Sequence, residues 1–434
     1  MNTRTVKTQR HRNIRHLEMV SLKLRPLRER LAASLPVRTQ ARKLNIQLIM
    51  FLIHHLNYPD KHLSTDLTKG MGITGNIPQS QAITKRELAP TTGMDRVRIN
   101  LVTRNRTILR HLERPNAPTL QRKCWDMSIA EYEKGWLSRP SLVSQHDRAN
   151  TILSPRFCIS EQHGTQEPKY RVIDDLAKSQ VNLTVGASDA YCPQDLDTFM
   201  VLARLQNQYG AKNLRMWSLD FPNAYKTIGL NEASGDVSHI CFTNPSNNRP
   251  YKARVLVQPF GIRRAPANWG REVTFLQYVA GEILHFTTGA FAGDVFCVES
   301  HRLEMSGFRA FKQICEIIGF PTSNKKDRPP STKMVLLGAD VSLRDTQAMA
   351  RLRDGRNNKL KSQISQALRT NCLTPAAAFK LRGKLGFYSS LLAGELGRGM
   401  MGPLIKRQYR QNGGSYITGP STELDLVVFG TREP

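Results

Sequence analysis

The chain has 434 residues, with 63 Lys and Arg against 35 Asp and Glu and a formal net charge of +28. Such a length supports two or three domains with a full core, so no staple is required, and the basic surplus points to a polyanionic partner, nucleic acid first. Seven scattered cysteines show no Cys-x-x-Cys pair or zinc-ligand spacing, and the longest apolar run, residues 48–53, falls far short of the roughly 18 residues that span a bilayer. An intracellular protein with reduced thiols, nuclear or cytoplasmic and without a membrane partner, is the expectation. No apolar segment of signal-peptide type follows the basic N-terminus.

Residues 1–115 are the most basic part, with Arg10, Arg12, Arg15, Lys23, Arg25, Arg28 and Arg30 among few acids. Leu17, Val20, Leu24, Leu27 and Leu31 recur at helical spacing, which predicts an amphipathic basic helix from Leu17 to Leu35. It reads equally as an arm that neutralises phosphates or as a solvated extension. Ser64 to Thr92, with repeated Gly and Thr and two prolines, reads as a linker.

Residues 116–345 form the next division, where shorter strand and helix signals alternate from about Met127. Tyr170 to Asp174, Leu214 to Leu219 and Val255 to Phe260 read as strands; Leu196 to Leu205 and Ala267 to Phe286 have helical periodicity. The last division, 346–434, is read as helical. Thr374-Pro375 opens a helix there with a capping hydroxyl and a proline, and Leu381, Leu385, Tyr388 and Leu392 lie on one face.

Two acidic sites carry the chemistry. Asp220 ends the strand-like run before Phe221-Pro222-Asn223-Ala224-Tyr225, and Asp294 follows Phe291-Ala292-Gly293 at what reads as a hairpin tip. Joining a nucleotide to a primer uses two metal ions about 3.5–4 Å apart, and Mg²⁺ (or Mn²⁺) takes oxygen ligands. Carboxylates on neighbouring strands meet that need, so Asp220 and Asp294 are the candidate metal ligands. Tyr225 by itself reads as a half-buried aromatic, or as a ring that closes against the 2′ position of a sugar and rejects ribonucleotides. Upstream, Lys169 and Arg171 lie in a basic segment with Asp174, Asp175 and Asn182, where an arginine fork suits a triphosphate or a surface ion pair with Asp174 or Asp175. Gly261, after Phe260, allows close backbone approach to a ligand. Lys325, in Asn324-Lys325-Lys326, is the candidate general acid near the pyrophosphate, and Leu336-Leu337-Gly338 reads as a tight strand.

In this order the segments resemble the reverse transcriptases of retroelements, RNA-directed DNA polymerases, from about Gly135 to Arg398. Tyr170 to Asn182 is similar to the fingers strand with its nucleotide-contacting arginine, and Leu219 to Tyr225 to the first palm aspartate segment with its steric gate. Pro259 to Trp269 resembles the Pro-Phe-Gly segment that contacts nucleotide and template, Asn324 to Lys326 the later palm lysine, and Leu337-Gly338 the primer grip. Leu381 to Leu385 with Gly397-Arg398 is similar to the helical segment after the palm. The resemblance implies an α+β right-hand fold of fingers, palm and thumb, an antiparallel palm sheet backed by helices, and a basic, mainly helical N-terminal extension. It further implies an RNA template, a DNA primer duplex and deoxynucleoside triphosphates as partners. One departure stands out: the family carries two adjacent aspartates at the third palm segment, and here the first is Gly293. A hairpin slipped by one residue would instead put Gly293-Asp294 at the tip; the apolar pattern of Val295, Phe296 and Val298 favours the unslipped register.

Overall fold

The computed structural model describes residues 3–35, 40–77, 79–113, 117–161, 167–344, 347–370, 372–389 and 401–409. It is a mixed α+β structure in which antiparallel pairing dominates four sheets.

The central sheet has four antiparallel strands in the order Thr288–Phe291, Asp294–Ser300, Leu214–Asp220, Arg328–Ser331. Its two middle strands read as near-continuous apolar runs because both faces are covered. Trp217, Leu219, Val295 and Cys297 face one core with the helices Ile46–His55, Ala265–Leu284 and Glu304–Ile318. With a side-chain period of two, Met216, Phe296 and Val298 face the other, against helix Leu196–Gln208 and the meander Lys333–Leu336, Ala339–Arg344, Gln347–Leu352. Asp220 and Asp294 share the parity of this second face.

A five-stranded sheet runs in the order Ser141–Leu142, Arg249–Arg254, His239–Asn244, Leu153–Glu161, Lys169–Asp174. A small sheet pairs Gly75–Ile77 and Thr84–Leu88 with Val185–Ala190. The helices Asp354–Thr370, Pro375–Ser389 and Gly402–Tyr409 share an apolar cluster of their own. Ala377 donates its N–H to the Thr374 hydroxyl at 3.1 Å, so the cap read from Thr374-Pro375 forms, and Leu381 and Leu385 are buried. Leu392, Gly397, Arg398 and the Tyr388 side chain lie outside the described residues.

Three expectations are corrected. The N-terminal segment is two helices, Thr3–Lys23 and Arg25–Ser34, because Pro26 sits at the start of the second and cannot donate to a continuous ladder. The first is docked rather than free. Val6, Arg10, Ile14 and Leu17 are buried, the Arg10 guanidinium meets Glu299 at 2.5 Å, and Asn13 donates to the Ile283 carbonyl at 2.7 Å. The stretch 64–92, read as a linker, overlaps helix Leu63–Lys69 and contains two strands, and Arg271 pairs with Asp66 inside it and with Asp60 just before it, each at 2.7 Å. Its polar residues include the exposed side chains of strand Thr84–Leu88, so composition alone does not separate an edge strand from a linker. Finally, residues 255–260 form no strand; Val255 and Val257 make isolated bridges to Leu137 and Gly229, two different partners, so no ladder propagates.

Candidate active site

Asp220 is the last residue of Leu214–Asp220 and Asp294 the first of Asp294–Ser300, and the register sets them directly opposite each other. Opposed residues of an antiparallel pair project from the same face with Cβ atoms about 4.5–5.5 Å apart. Two carboxylates are thus fixed side by side at one sheet end. Burial first, then the charge of Asp220, raises the Asp294 carboxyl above its ordinary range, while Lys326 and Arg328 pull it back.

The hairpin that delivers Asp294 closes on the Phe291–Asp294 pair, leaving Ala292-Gly293 as a two-residue tip. This is the unslipped register. The tip is held from two sides: Trp269 donates its indole N–H to the Ala292 carbonyl at 2.5 Å, and Phe221 its backbone N–H to the Gly293 carbonyl at 2.7 Å. The positive φ falls on Ala292, at 50°, so Gly293 is not demanded by backbone conformation. Space is the constraint there, since a Cβ at 293 would stand 2.9 Å from the Phe221 carbonyl oxygen.

Beside the pair opens a cleft of about 970 Å³ whose lining takes in Asp294 but not Asp220, with Asp195, Ser218, Lys325, Lys326, Asp327, Arg328 and the turn Leu337-Gly338. Of Leu336-Leu337-Gly338, read as a tight strand, Leu336 ends the strand Lys333–Leu336 and the other two make a hairpin turn: Leu337 and Gly338 both take positive φ, 49° and 85°, as a two-residue connection of that twist requires. Lys325 lines the cleft, but it is Lys326 that reaches Asp220, with Nζ 3.1 Å from each carboxylate oxygen. Its loop is built onto the same aspartate. Ser323 donates its N–H to the Asp220 carbonyl at 3.0 Å, Asp327 accepts from the Asp220 N–H at 3.4 Å, and Lys312 holds Asp327 at 2.9 Å.

The remaining candidates are spread over neighbouring elements. Tyr225 lies in the 3₁₀ turn Ala224–Thr227, its ring 5.1 Å from the half-exposed ring of Phe260, and burial raises its hydroxyl pKa. Lys169 and Arg171 sit on the hairpin Leu153–Glu161/Lys169–Asp174, and Arg171 pairs with Glu161 at 2.7 Å, not with Asp174 or Asp175. Asp174 is taken by buried Arg156, 2.6 Å away. Against the cost of burial, that guanidinium holds the Asp174 carboxyl below its usual range. Gly261 makes its close approach to this chain's own backbone, since a Cβ there would fall 1.8 Å from the Asp174 carbonyl oxygen. Asn182 stitches the same contact, donating to the Gly261 carbonyl at 2.9 Å and accepting from the Arg263 N–H at 2.9 Å. The two sequence segments around Arg171 and Phe260 therefore meet.

Sequence reading missed Lys226. It is buried next to Tyr225, ion-paired with Glu131, and lies 5.0 Å from the Trp136 ring centroid and 5.9 Å from that of Phe260. Burial lowers its pKa, opposed by Glu131. A lysine next to Tyr225 is visible in the sequence, but nothing in its spacing to Glu131 or Trp136 signals the contact.

The residues present do not fit a pair of divalent cations. Mg²⁺ demands near-octahedral oxygen ligation; the site offers two facing carboxylates, one already capped by an ammonium. Among the described residues no group of three or more His, Cys, Asp or Glu side chains forms a metal seat.

No protein-family model matches the chain, and no curated protein matches it. Two of the solved structures that align with it are foamy viral protease-reverse transcriptases. The foamy viral protease-reverse transcriptase dRH in complex with ds DNA is 14% identical over 73% of this chain and 48% of its own, with a TM-score of 0.48. The foamy viral protease-reverse transcriptase in complex with RNA/DNA hybrid is 15% identical over 92% of this chain and 46% of its own, with a TM-score of 0.47. The chain spans about half the length of these structures.

Proposed function

We propose that the chain is a reverse-transcriptase-like domain of retroelement type. It binds an RNA template and DNA primer duplex in its cleft, and its transfer of deoxynucleotides to a primer 3′-hydroxyl is impaired by Gly293. The observation that carries this reading is the facing of Asp220 and Asp294 across one register, at a sheet end beside a cleft lined by Lys325, Lys326 and Arg328 together with Asp195, Asp294 and Asp327. It is supported by the meeting of the Arg171 and Phe260 segments and by the packing of Tyr225 on Phe260. In this reading the central sheet is the palm, the five-stranded sheet the fingers and the C-terminal helices the thumb. Lys169, Arg171, Tyr225, Phe260 and Gly261 form the nucleotide side, and Lys325 is the proton donor nearest the leaving group. Mg²⁺ or Mn²⁺ would be the ion for such chemistry, and two carboxylates, one of them capped by Lys326, do not seat a pair of them, which is the source of the impairment in this reading. A second reading, a binding descendant that copies nothing, is favoured by Lys326 standing on Asp220.

Primer extension on an RNA template with Mg²⁺ or Mn²⁺ tests both. Trace extension that disappears in Asp220→Ala supports the first reading, and its complete absence the second. Gly293→Asp raises extension only in part, because its Cβ crowds the Phe221 carbonyl. Robust extension that ignores Asp220→Ala refutes both. Duplex affinity is expected to fall steeply with salt as Lys and Arg displace counterions from phosphates; salt-independent binding leaves the +28 charge without the role assigned to it.

A further inference from the structure

The geometry points to Lys326 as a tethered cation: its ammonium closes the Asp220–Asp294 seat to divalent ions, so this chain grips a nucleic-acid duplex without needing them. The inference rests on the nucleic-acid reading above and deepens it. Three observations carry it. The ammonium is equidistant from both Asp220 oxygens, 3.1 Å each, so it spans the ligand edge that a metal would use. Its position follows from the loop, which is fastened to the Asp220 backbone at both N–H and carbonyl and braced by Lys312 through Asp327. And the local charge balances: the carboxylates Asp195, Asp220, Asp294 and Asp327 are met by Lys325, Lys326, Arg328 and, on Asp327, Lys312, so a divalent ion would leave an excess of positive charge. A further carboxylate at 293 would tip that balance toward a metal, and Gly293 withholds it.

The test counts bound Mn²⁺ on the full chain by the loss of its free-ion paramagnetic resonance signal, with Asp220→Asn as the blank for unrelated sites. The wild type is expected to match that blank. Lys326→Ala is expected to bind Mn²⁺ about tenfold or more tighter, and to lose that gain when combined with Asp220→Asn. Lys326→Arg keeps the charge and is expected to stay closed. Asp220-dependent Mn²⁺ binding by the wild type, no gain in Lys326→Ala, or a gain in Lys326→Arg overturns the inference. Lys326 is exposed, so its substitutions are expected to leave the fold intact. In parallel, duplex affinity measured in EDTA and in Mg²⁺ is expected to agree; loss in EDTA overturns the inference. No duplex binding under either condition refutes the functional reading instead, while the Mn²⁺ titration still decides the role of the lysine.

Discussion

Replacing Arg10 by methionine removes a charge while keeping an apolar stem, and isolates what the N-terminal helix contributes to the sheet that holds the site. The guanidinium donates to the Leu284 carbonyl at 2.6 Å and to Glu299 at 2.5 Å, and lies 4.8 Å from the Phe286 ring centroid. Without it, buried Glu299 keeps the Trp217 indole N–H at 3.3 Å and loses its counter-charge. Breaking one side of a buried pair costs about 3–5 kcal/mol, a large part of a domain's stability. Burial already pushes the Glu299 carboxyl up, with Arg10 holding it down, so the variant pushes it further. The folded state then keeps a proton that the unfolded chain has released, and stability of the variant falls as pH rises through that interval. Urea denaturation across pH is the assay. A loss below about 1 kcal/mol at neutral pH, or an Arg10→Met/Glu299→Gln double variant no more stable than Arg10→Met, refutes the reasoning.

Glu272 is fully buried with Thr227 as hydrogen-bond donor, and burial pushes its carboxyl up to about 8. Because the folded pKa lies above the unfolded value of 4.5, its contribution is present at low pH and lost as pH rises towards about 8, at most about 1.4 kcal/mol per unit. Thermal denaturation of Glu272→Gln is expected to lose that component, and an unchanged pH profile excludes the assignment. Gly261→Ala drives a methyl into the Asp174 carbonyl and is expected to cost about 1–3 kcal/mol or more, read from its urea midpoint. Arg171→Ala breaks only an exposed pair, so stability should change by less than about 1 kcal/mol while triphosphate binding weakens; equal binding removes Arg171 from the nucleotide side.

By itself the sequence determined the elements whose pattern is local. The near-continuous apolar run before Asp220, the strand around Arg171, the helices after Asp195 and Arg264, the Thr374 cap and the hairpin tip at Ala292-Gly293 all follow from periodicity, propensity and turn chemistry over a few residues. Tertiary structure decided which charges meet. Arg10 with Glu299, Lys226 with Glu131 and Arg271 with Asp60 are pairs distant in sequence, Arg156 meets Asp174 across one hairpin register, and an arginine bound for the core is indistinguishable in composition from one on a solvated arm. The same holds at the site. That Asp220 and Asp294 belong together was legible from two strands of matching character, but their register, the seat of Lys326 between Asp220 and the cleft, and the crowding at Gly293 depend on how three separate segments pack, because such contacts are set by shape and distance and leave no spacing in the chain.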